Sequence, residues 1–130
     1  MAEHRTVELL RQAYDAFDRG DVETVLSMLH EDVVWHIKGL GALDGDYQGP
    51  QAVMGFLGQS AAETEGTLKI NVHDILGNDE HGVVLAMVHA SRNGKTLDSQ
   101  IVHVVHMRDG REEALWTAAE DPAAMLEFWA

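Results

Sequence analysis

The first part of the chain places apolar residues at the spacing of amphipathic helices. From Thr6 onward they recur every three or four positions, at Val7, Leu10, Tyr14 and Phe17. This spacing predicts a helix that Thr6 caps and Gly20 ends. Asp21 is placed to cap a second helix, whose apolar face would comprise Val22, Val25, Leu26 and Leu29. Since the connection is so short, we expect the two helices to form a hairpin.

Strand patterns dominate the remainder of the chain. Residues 32–37 are β-branched and aromatic, which predicts a first strand. A long glycine-rich loop is expected over 39–49, followed by a third helix that Pro50 opens and Gly66 stops. Alternating or apolar runs then predict four more strands, near 68–73, 83–88, 95–107 and 111–119. Asn93-Gly94 and Asp109-Gly110 are hairpin signals between them. Asp121-Pro122 opens a short terminal helix.

The order ααβαββββ plus a short C-terminal helix is typical of the α+β class. We expect a cone-shaped, strongly curved sheet, mixed or antiparallel, packed on three N-terminal helices. With 130 residues and no linker or repeat, the chain is interpreted as one domain over 1–130.

Composition restricts the possible partners. The chain has 9 Lys and Arg residues and 22 Asp and Glu residues, which gives a formal net charge of −13. Nucleic acid and anionic membrane surfaces are therefore poor partners. The chain has no Cys, which excludes disulfides and thiolate chemistry. Residues 1–5 do not read as a secretory signal and no apolar run is long enough to span a membrane, so a cytoplasmic protein is expected.

Polar side chains that face into such a cone are the candidates for chemistry. Tyr14 and Asp18 lie four residues apart and share one face of the first helix. Alternation places His103 on the same strand face as Ile101 and Val105. Each also has a structural interpretation: a tyrosine at the edge of the core, a solvated acid and a hydrogen-bonded core histidine.

The sequence lacks the motifs of metal sites, serine nucleophiles and phosphate-binding loops. The eight His residues form no His-x-His or His-Glu-x-x-His motif, and His103 and His106 point to opposite strand faces. No Gly-x-Ser-x-Gly elbow or glycine-rich phosphate loop is present. We therefore expect no metal and no cofactor, although three converging His or carboxylate ligands would indicate a metal-dependent enzyme.

Several segments carry a family resemblance: 9–21, LLRQAYDAFDRGD; 26–35, LSMLHEDVVW; 47–53, YQGPQAV; 102–111, VHVVHMRDGR; and 127–129, EFW. They resemble the nuclear transport factor two-like superfamily, and most of all its SnoaL-like, ketosteroid-isomerase-related branch. The resemblance implies a cystatin-like α+β barrel. The superfamily includes isomerases, dehydratases, epoxide hydrolases, polyketide cyclases and non-catalytic binding domains, so the fold does not choose the activity.

The resemblance transfers only some functional residues. Where steroid isomerases carry a carboxylate base near the end of the first strand, this chain reads Ile37-Lys38-Gly39. Their oxyanion-hole tyrosine falls near Ala13, one residue from Tyr14, and their oxyanion-hole acid aligns with His103. Asp18 matches the helix-one aspartate of scytalone-dehydratase-like enzymes. The Asp-Arg-Asp set of the epoxide hydrolases has no counterpart, because Arg92, Arg108 and Arg111 lie near turns.

The leading hypothesis is a cofactor-independent enzyme or enzyme-like binder for a hydrophobic carbonyl or polycyclic substrate, of the isomerase, cyclase or dehydratase type. His103 would be the general acid/base, Tyr14 would polarise a substrate oxygen, and Asp18 would orient His103 or stabilise its charged form. The apolar pocket wall would comprise Phe17, Trp35, Ile37, Phe56, Leu57, Ile101 and Val105. The alternative is a non-catalytic dimeric ligand-binding domain of the same fold.

The strands also predict self-association. An apolar convex sheet face is expected from Val84, Met87, Val102, Val104 and Trp116. Because exposed apolar faces are usually interfaces, we expect a two-fold homodimer through the sheet.

Overall fold

A computed structural model describes residues 4–130, in which four α-helices pack on a six-stranded sheet. Residues 1–3, part of the N-terminal segment considered above, lie outside the described residues. The helices are α1 (Arg5–Arg19), α2 (Val22–Ser27), α3 (Pro50–Glu63) and α4 (Pro122–Trp129). The strands are β1 (Leu29–Ile37), β2 (Gly45–Gln48), β3 (Lys69–Gly77), β4 (His81–Arg92), β5 (Lys95–Arg108) and β6 (Arg111–Ala119). No described helix combines the length and the apolar character needed to cross a membrane.

The sheet is mixed, with the strand order β2-β1-β6-β5-β4-β3. Strands β3 to β6 form an antiparallel meander, while β1 lies parallel to β6 and antiparallel to β2. The hairpins at Asn93-Gly94 and Asp109-Gly110 form where predicted, with positive φ at all four residues, as type I′ turns require. The α+β prediction, with a curved sheet packed on helices, is confirmed.

Helix boundaries differ from the predictions at two positions. Helix α1 begins at Arg5, and its cap is His4, whose Nδ1 accepts the Thr6 N–H at 3.0 Å. Thr6, which was predicted to be the cap, is instead a buried residue of the first turn. Gly20 ends α1 in the left-handed region with φ 72°, as predicted. Asp21 caps α2 as predicted, but α2 ends at Ser27, and Leu29 begins β1 instead of extending the helix.

The glycine-rich segment over 39–49 is more regular than the predicted loop. It contains a 3-10 turn, Gly41–Leu43, and then strand β2, which pairs with the end of β1. Tyr47 fixes this segment, because its hydroxyl donates to the carbonyl of Leu43 at 2.6 Å. The strand escapes prediction because a four-residue edge strand with one apolar side chain carries almost no periodic signal.

The two sheet faces have different environments. The inner face packs on the helices and includes Ile101, His103 and Val105, which are all buried. Val104 and Trp116 are opposite each other on the outer face. Val84, predicted on that outer face, pairs with His103 and is fully buried on the inner face. Since the near-continuous apolar run of β4 gives no alternation, the face of Val84 could not be assigned correctly from the sequence.

Helix α1 lies directly against β4 because a glycine permits the contact. A Cβ on Gly82 would lie 2.2 Å from Cδ1 of Leu10, which is fully buried. This close approach brings Tyr14, one turn after Leu10, toward the inner face of β5.

Candidate functional site

A polar pair, half-buried Tyr14 and buried His103, lies between α1 and the inner face of β5. The Tyr14 hydroxyl and Nδ1 of His103 are hydrogen-bonded, and the two rings stack with centroids 5.8 Å apart. His103 is 3% exposed, so the imidazole is shielded from water. The structure therefore brings together two of the three predicted catalytic residues, from positions 89 residues apart in the chain.

Burial sets the charge state of this pair. Loss of hydration lowers the pKa of His103 from 6.5 to about 4, so the imidazole is neutral at pH 7. Burial raises the pKa of Tyr14 well above 10, and the carboxyl group of Glu112 raises it further. The pair is thus a neutral phenol bonded to a neutral imidazole.

The pair faces an interior cavity of about 60 Å³. The other lining side chains are almost all apolar: Ala13, Phe17, Val25, Leu29, Trp35, Val53, Leu57, Ile70 and Leu115, with Glu112 the further polar residue. A second cavity of about 80 Å³ adjoins it and shares Trp35, Leu57, Ile70 and His103. His103 therefore contacts both voids, and a ligand in either one would meet its ring.

A wider opening leads toward the interior cavity from the surface. This mouth has a volume of about 440 Å³ and lies between α1, α2, α3 and the start of β3. The mouth and the interior cavity share Phe17, Val25, Leu57 and Ile70. These four apolar side chains lie where the mouth adjoins the interior cavity.

The orientation of Trp35 is fixed by contacts on three sides. Its Nε1 donates to the hydroxyl of Thr117 at 3.1 Å. The indole meets the rings of Phe56 and His103 edge-on, with centroids 5.1 and 5.5 Å away. Since these contacts satisfy the indole N–H and hold the ring, Trp35 forms a rigid wall beside His103.

Glu112 is a buried acid that the sequence interpretation missed. It begins the inner face of β6, is 6% exposed and lines the interior cavity. Burial raises the pKa of its carboxyl from 4.5 to about 7. Among the hydrogen bonds of residues 4–130, none is made by this carboxyl group. Its backbone N–H donates to the carbonyl of Met28 at 2.9 Å, which anchors the residue to the chain preceding β1.

A β-bulge explains why Glu112 faces inward. His106 pairs with Ala114 and the next residue, Met107, pairs with Glu112, so Glu113 is an extra residue in β6. Without the bulge, residues two apart along β6 would share a sheet face, so Glu113 would lie on the inner face with buried Leu115. Instead Glu113 lies on the outer face, where it accepts hydrogen bonds from His106 at 3.0 Å and Arg108 at 2.9 Å. The sequence showed two adjacent acids but not which of them enters the cavity.

Asp18 does not join the pair. Its side chain is 61% exposed at the mouth, where Oδ1 lies 3.9 Å from Nζ of Lys69. Four residues are about one helical turn, so Asp18 lies one turn closer than Tyr14 to the C-terminal end of α1, where the mouth opens. The expected contact by which Asp18 would orient His103 is therefore not formed.

The predicted pocket wall is divided among three environments. Phe17, Trp35 and Leu57 line the interior cavity. Ile37, Phe56 and Ile101 line the second cavity, with Trp35 and Leu57 shared between the two. Val105 is fully buried in the core. Within residues 4–130, no group of three or more His, Asp or Glu side chains is arranged to hold a metal ion.

Comparison with known proteins places this architecture in a family. A family model described as SnoaL-like domain matches residues 10–112. The chain belongs to the SnoaL-like domain family. The match spans α1 to the start of β6 and so includes Tyr14, His103 and Glu112. It confirms the resemblance to the SnoaL-like branch noted in the sequence and supports an enzyme-like small-molecule-binding fold.

Three individual proteins resemble this SnoaL-like chain along its length. Uncharacterized protein Rv0034 of Mycobacterium tuberculosis (strain ATCC 25618 / H37Rv) is 35% identical over 132 residues, covering 100% of both chains. The structure of Bal32a from a soil-derived mobile gene cassette is 30% identical, with a TM-score of 0.93 and 97% of each chain covered. TerC co-crystallized with polyporic acid is 25% identical, with a TM-score of 0.84 and 97% and 98% of the two chains covered.

Proposed function

We propose that this SnoaL-like protein is a cofactor-independent acid/base enzyme for a hydrophobic carbonyl or polycyclic compound, of the isomerase, cyclase or dehydratase type. The observation that carries the proposal is the Tyr14–His103 pair at the edge of an otherwise apolar cavity. Because the two groups bond to each other, one donor of the pair is left without a partner among residues 4–130. Leaving a buried donor unpaired costs on the order of 1–3 kcal/mol, so a core without a function would favour apolar residues there.

Counting protons shows what the pair offers a ligand. A neutral phenol and a neutral imidazole carry one O–H and one N–H, and their mutual hydrogen bond uses one of these two donors. If Tyr14 donates, Nε2–H of His103 remains available. If His103 donates from Nδ1, the Tyr14 O–H remains. In both tautomers one donor is left to polarise a carbonyl oxygen and stabilise the negative charge that develops on it.

The surroundings of the pair favour an apolar ligand body. Nine of the lining residues named above for the interior cavity are apolar, and so are the four side chains that it shares with the mouth. The inner voids accept the reacting end of a ligand, while the larger mouth has room for a ring system. A formal net charge of −13 disfavours polyanionic compounds. TerC, which is 25% identical to this chain, was co-crystallized with polyporic acid.

The proposal is tested with ketones of steroid, polyketide and terpenoid type. Binding is measured by ligand-observed NMR and turnover by chromatography with mass detection, for the wild type, Tyr14→Phe and Tyr47→Phe. Tyr47 is a matched control, because its hydroxyl bonds to Leu43 in the β2 segment. Loss of one hydrogen bond should weaken binding to Tyr14→Phe by about 3- to 10-fold and leave Tyr47→Phe unchanged.

The outcomes separate the two hypotheses left open by the sequence. Turnover that falls in Tyr14→Phe supports the enzyme. Binding without turnover by any compound supports the alternative, a non-catalytic ligand-binding domain. Equal binding to wild type and Tyr14→Phe, or no binding of any ketone, would remove the pair from ligand recognition and overturn the proposal.

We further propose that the protein is a two-fold homodimer through the outer face of the sheet. Val104 and Trp116 are 37% and 44% exposed there, at paired positions of β5 and β6. Two neighbouring polar groups are already paired within the chain, His36 with Asp46 and Glu113 with Arg108. A second copy could therefore cover the apolar surface and leave these pairs intact. Sedimentation should give a dimer for wild type and a monomer for Trp116→Glu. A wild-type monomer at micromolar concentration contradicts this proposal.

A further inference from the structure

Glu112 is the buried titratable group that the Tyr14–His103 pair does not use. We infer that its carboxylate is the general base of the interior cavity, positioned to remove a carbon-bound proton from the molecule whose oxygen the pair holds. The inference rests on the proposed function for the identity of that molecule. It rests on the geometry of β6 for the identity of the base.

Three elements direct polar groups into the same void. Tyr14 enters from α1, His103 from β5 and Glu112 from β6. The sides contributed by α2, α3, β1 and β3 are apolar, comprising Val25, Val53, Leu57, Leu29, Trp35 and Ile70. Within residues 4–130, the only titratable side chains that line the interior cavity with Glu112 are therefore Tyr14 and His103. Both are neutral at pH 7, so neither neutralises a carboxylate there.

A purely structural acid would have a different environment. Glu113, its neighbour, shows that environment: it accepts hydrogen bonds from His106 and Arg108 on the outer face, and these bonds lower its pKa. The Glu112 carboxyl group has no hydrogen-bond partner among residues 4–130, and burial raises its pKa to about 7. An unpartnered carboxyl that changes charge near neutrality can accept a proton and return it.

The proton-transfer step balances without any further reactant. The Glu112 carboxylate takes the proton from the carbon next to a carbonyl, and the C–H electron pair forms the C=C bond of an enolate. The negative charge moves to the oxygen, which accepts a hydrogen bond from the donor left by the Tyr14–His103 pair. Glu112, now protonated, returns the proton to another carbon in an isomerisation or to the new alkoxide in an aldol-type ring closure.

The base can be tested without knowing the natural substrate. 5-Nitrobenzisoxazole is an apolar aromatic probe that reports a base directly: removal of its C–H proton breaks the N–O bond and yields a nitrile and a coloured phenolate. We compare wild type, Glu112→Gln and Glu113→Gln across about pH 5 to 9. Glutamine imitates the neutral acid that the folded protein already accommodates, and circular dichroism verifies that Glu112→Gln is folded.

The expected result is a wild-type rate above buffer that rises with pH to a plateau, with a midpoint near 7. Since general-base catalysis is typically worth about 100-fold or more, Glu112→Gln should lose about that factor, while Glu113→Gln keeps the wild-type rate. A rate unchanged in Glu112→Gln, or a wild-type rate equal to buffer, overturns the assignment. Failure of the ketone panel alone would refute the proposed substrate class and leave a positive result for Glu112 intact.

Discussion

Two buried titratable groups of the interior cavity, Glu112 and His103, should make stability depend on pH in opposite directions. Burial raises the pKa of Glu112 to about 7 and lowers that of His103 to about 4. Between these pH values the folded protein holds Glu112 protonated and His103 deprotonated, whereas the unfolded chain does the reverse over most of this range. Removing either group by mutation should therefore expose the pH dependence of the other.

The magnitude follows from the difference between folded and unfolded pKa values. For Glu112 these are about 7 and 4.5, so from pH 4.5 to 7 the folded state binds one more proton than the unfolded state. Stability then falls by about 1.4 kcal/mol per pH unit, or about 3 kcal/mol in total. This contribution is fully present below pH 4.5 and lost as the pH rises through 7.

His103 contributes with the opposite sign. Its pKa is about 4 in the folded state and 6.5 in the unfolded chain, so the unfolded state binds the extra proton between these values. Its contribution is present above pH 6.5 and lost as the pH falls through 4, again about 3 kcal/mol. The two contributions nearly cancel in the wild type between pH 4.5 and 6.5.

Urea denaturation from about pH 4.5 to pH 7.5 measures the effect, with protein concentration held constant because any self-association would shift the apparent stability. Relative to wild type, Glu112→Gln should gain about 3 kcal/mol as the pH rises across this range. His103→Gln should lose a comparable amount between pH 4.5 and 6.5. Glu113→Gln is the control, and its difference from wild type should stay flat because its pKa lies below 4.5. A flat difference for Glu112→Gln would refute the reasoning.

Two further predictions concern packing around the site. Tyr14→Phe should cost about 1–3 kcal/mol in urea denaturation, because Nδ1 of His103 loses its partner; an unchanged midpoint would show that the bond contributes nothing to stability. Gly82→Ala should cost about 1–3 kcal/mol, because its Cβ would lie 2.2 Å from Leu10. Gly55→Ala, on the exposed side of α3 with open space around it, should instead stabilise by about 0.5–1 kcal/mol, and equal effects of both glycine changes would contradict the close-contact argument.

Much of the fold could be predicted because its signals are local. Helical spacing located α1, and the residue pairs Asn93-Gly94 and Asp109-Gly110 located the hairpins, since only a few residue types tolerate positive φ. Strand β2 and the parallel pairing of β1 with β6 were not predicted. The pairing of β1 with β6 depends on which strands meet in three dimensions, which the pattern of neither strand encodes, and β2 is a four-residue edge strand too short to carry a periodic pattern.

The site was predictable only in part. Alternation along β5 placed His103 on the inner face correctly. The spacing of four residues that puts Tyr14 and Asp18 on one face of α1 drew attention to Tyr14. The same spacing also predicted Asp18 as a site residue, but Asp18 lies at the exposed mouth and does not line the interior cavity. Glu112 could not be found by alternation, because the extra residue of the bulge reverses the faces of Glu112 and Glu113. Errors of this kind concentrate where local rules are broken, and such positions are often functional.

The energetics distinguish a functional acid from a structural one at this position. At pH 7 and above, a carboxyl whose folded pKa is about 7 gives up about 3 kcal/mol relative to the same group in water. Glutamine at the same place would avoid that loss, and Glu112 recovers none of it through a hydrogen bond within the described chain. A ligand that brings a polarised C–H or another donor into the interior cavity would supply the missing interaction. Such a ligand should therefore bind more weakly to Glu112→Gln even though that variant is the more stable protein at pH 7.5, an opposition between affinity and stability that packing alone cannot produce.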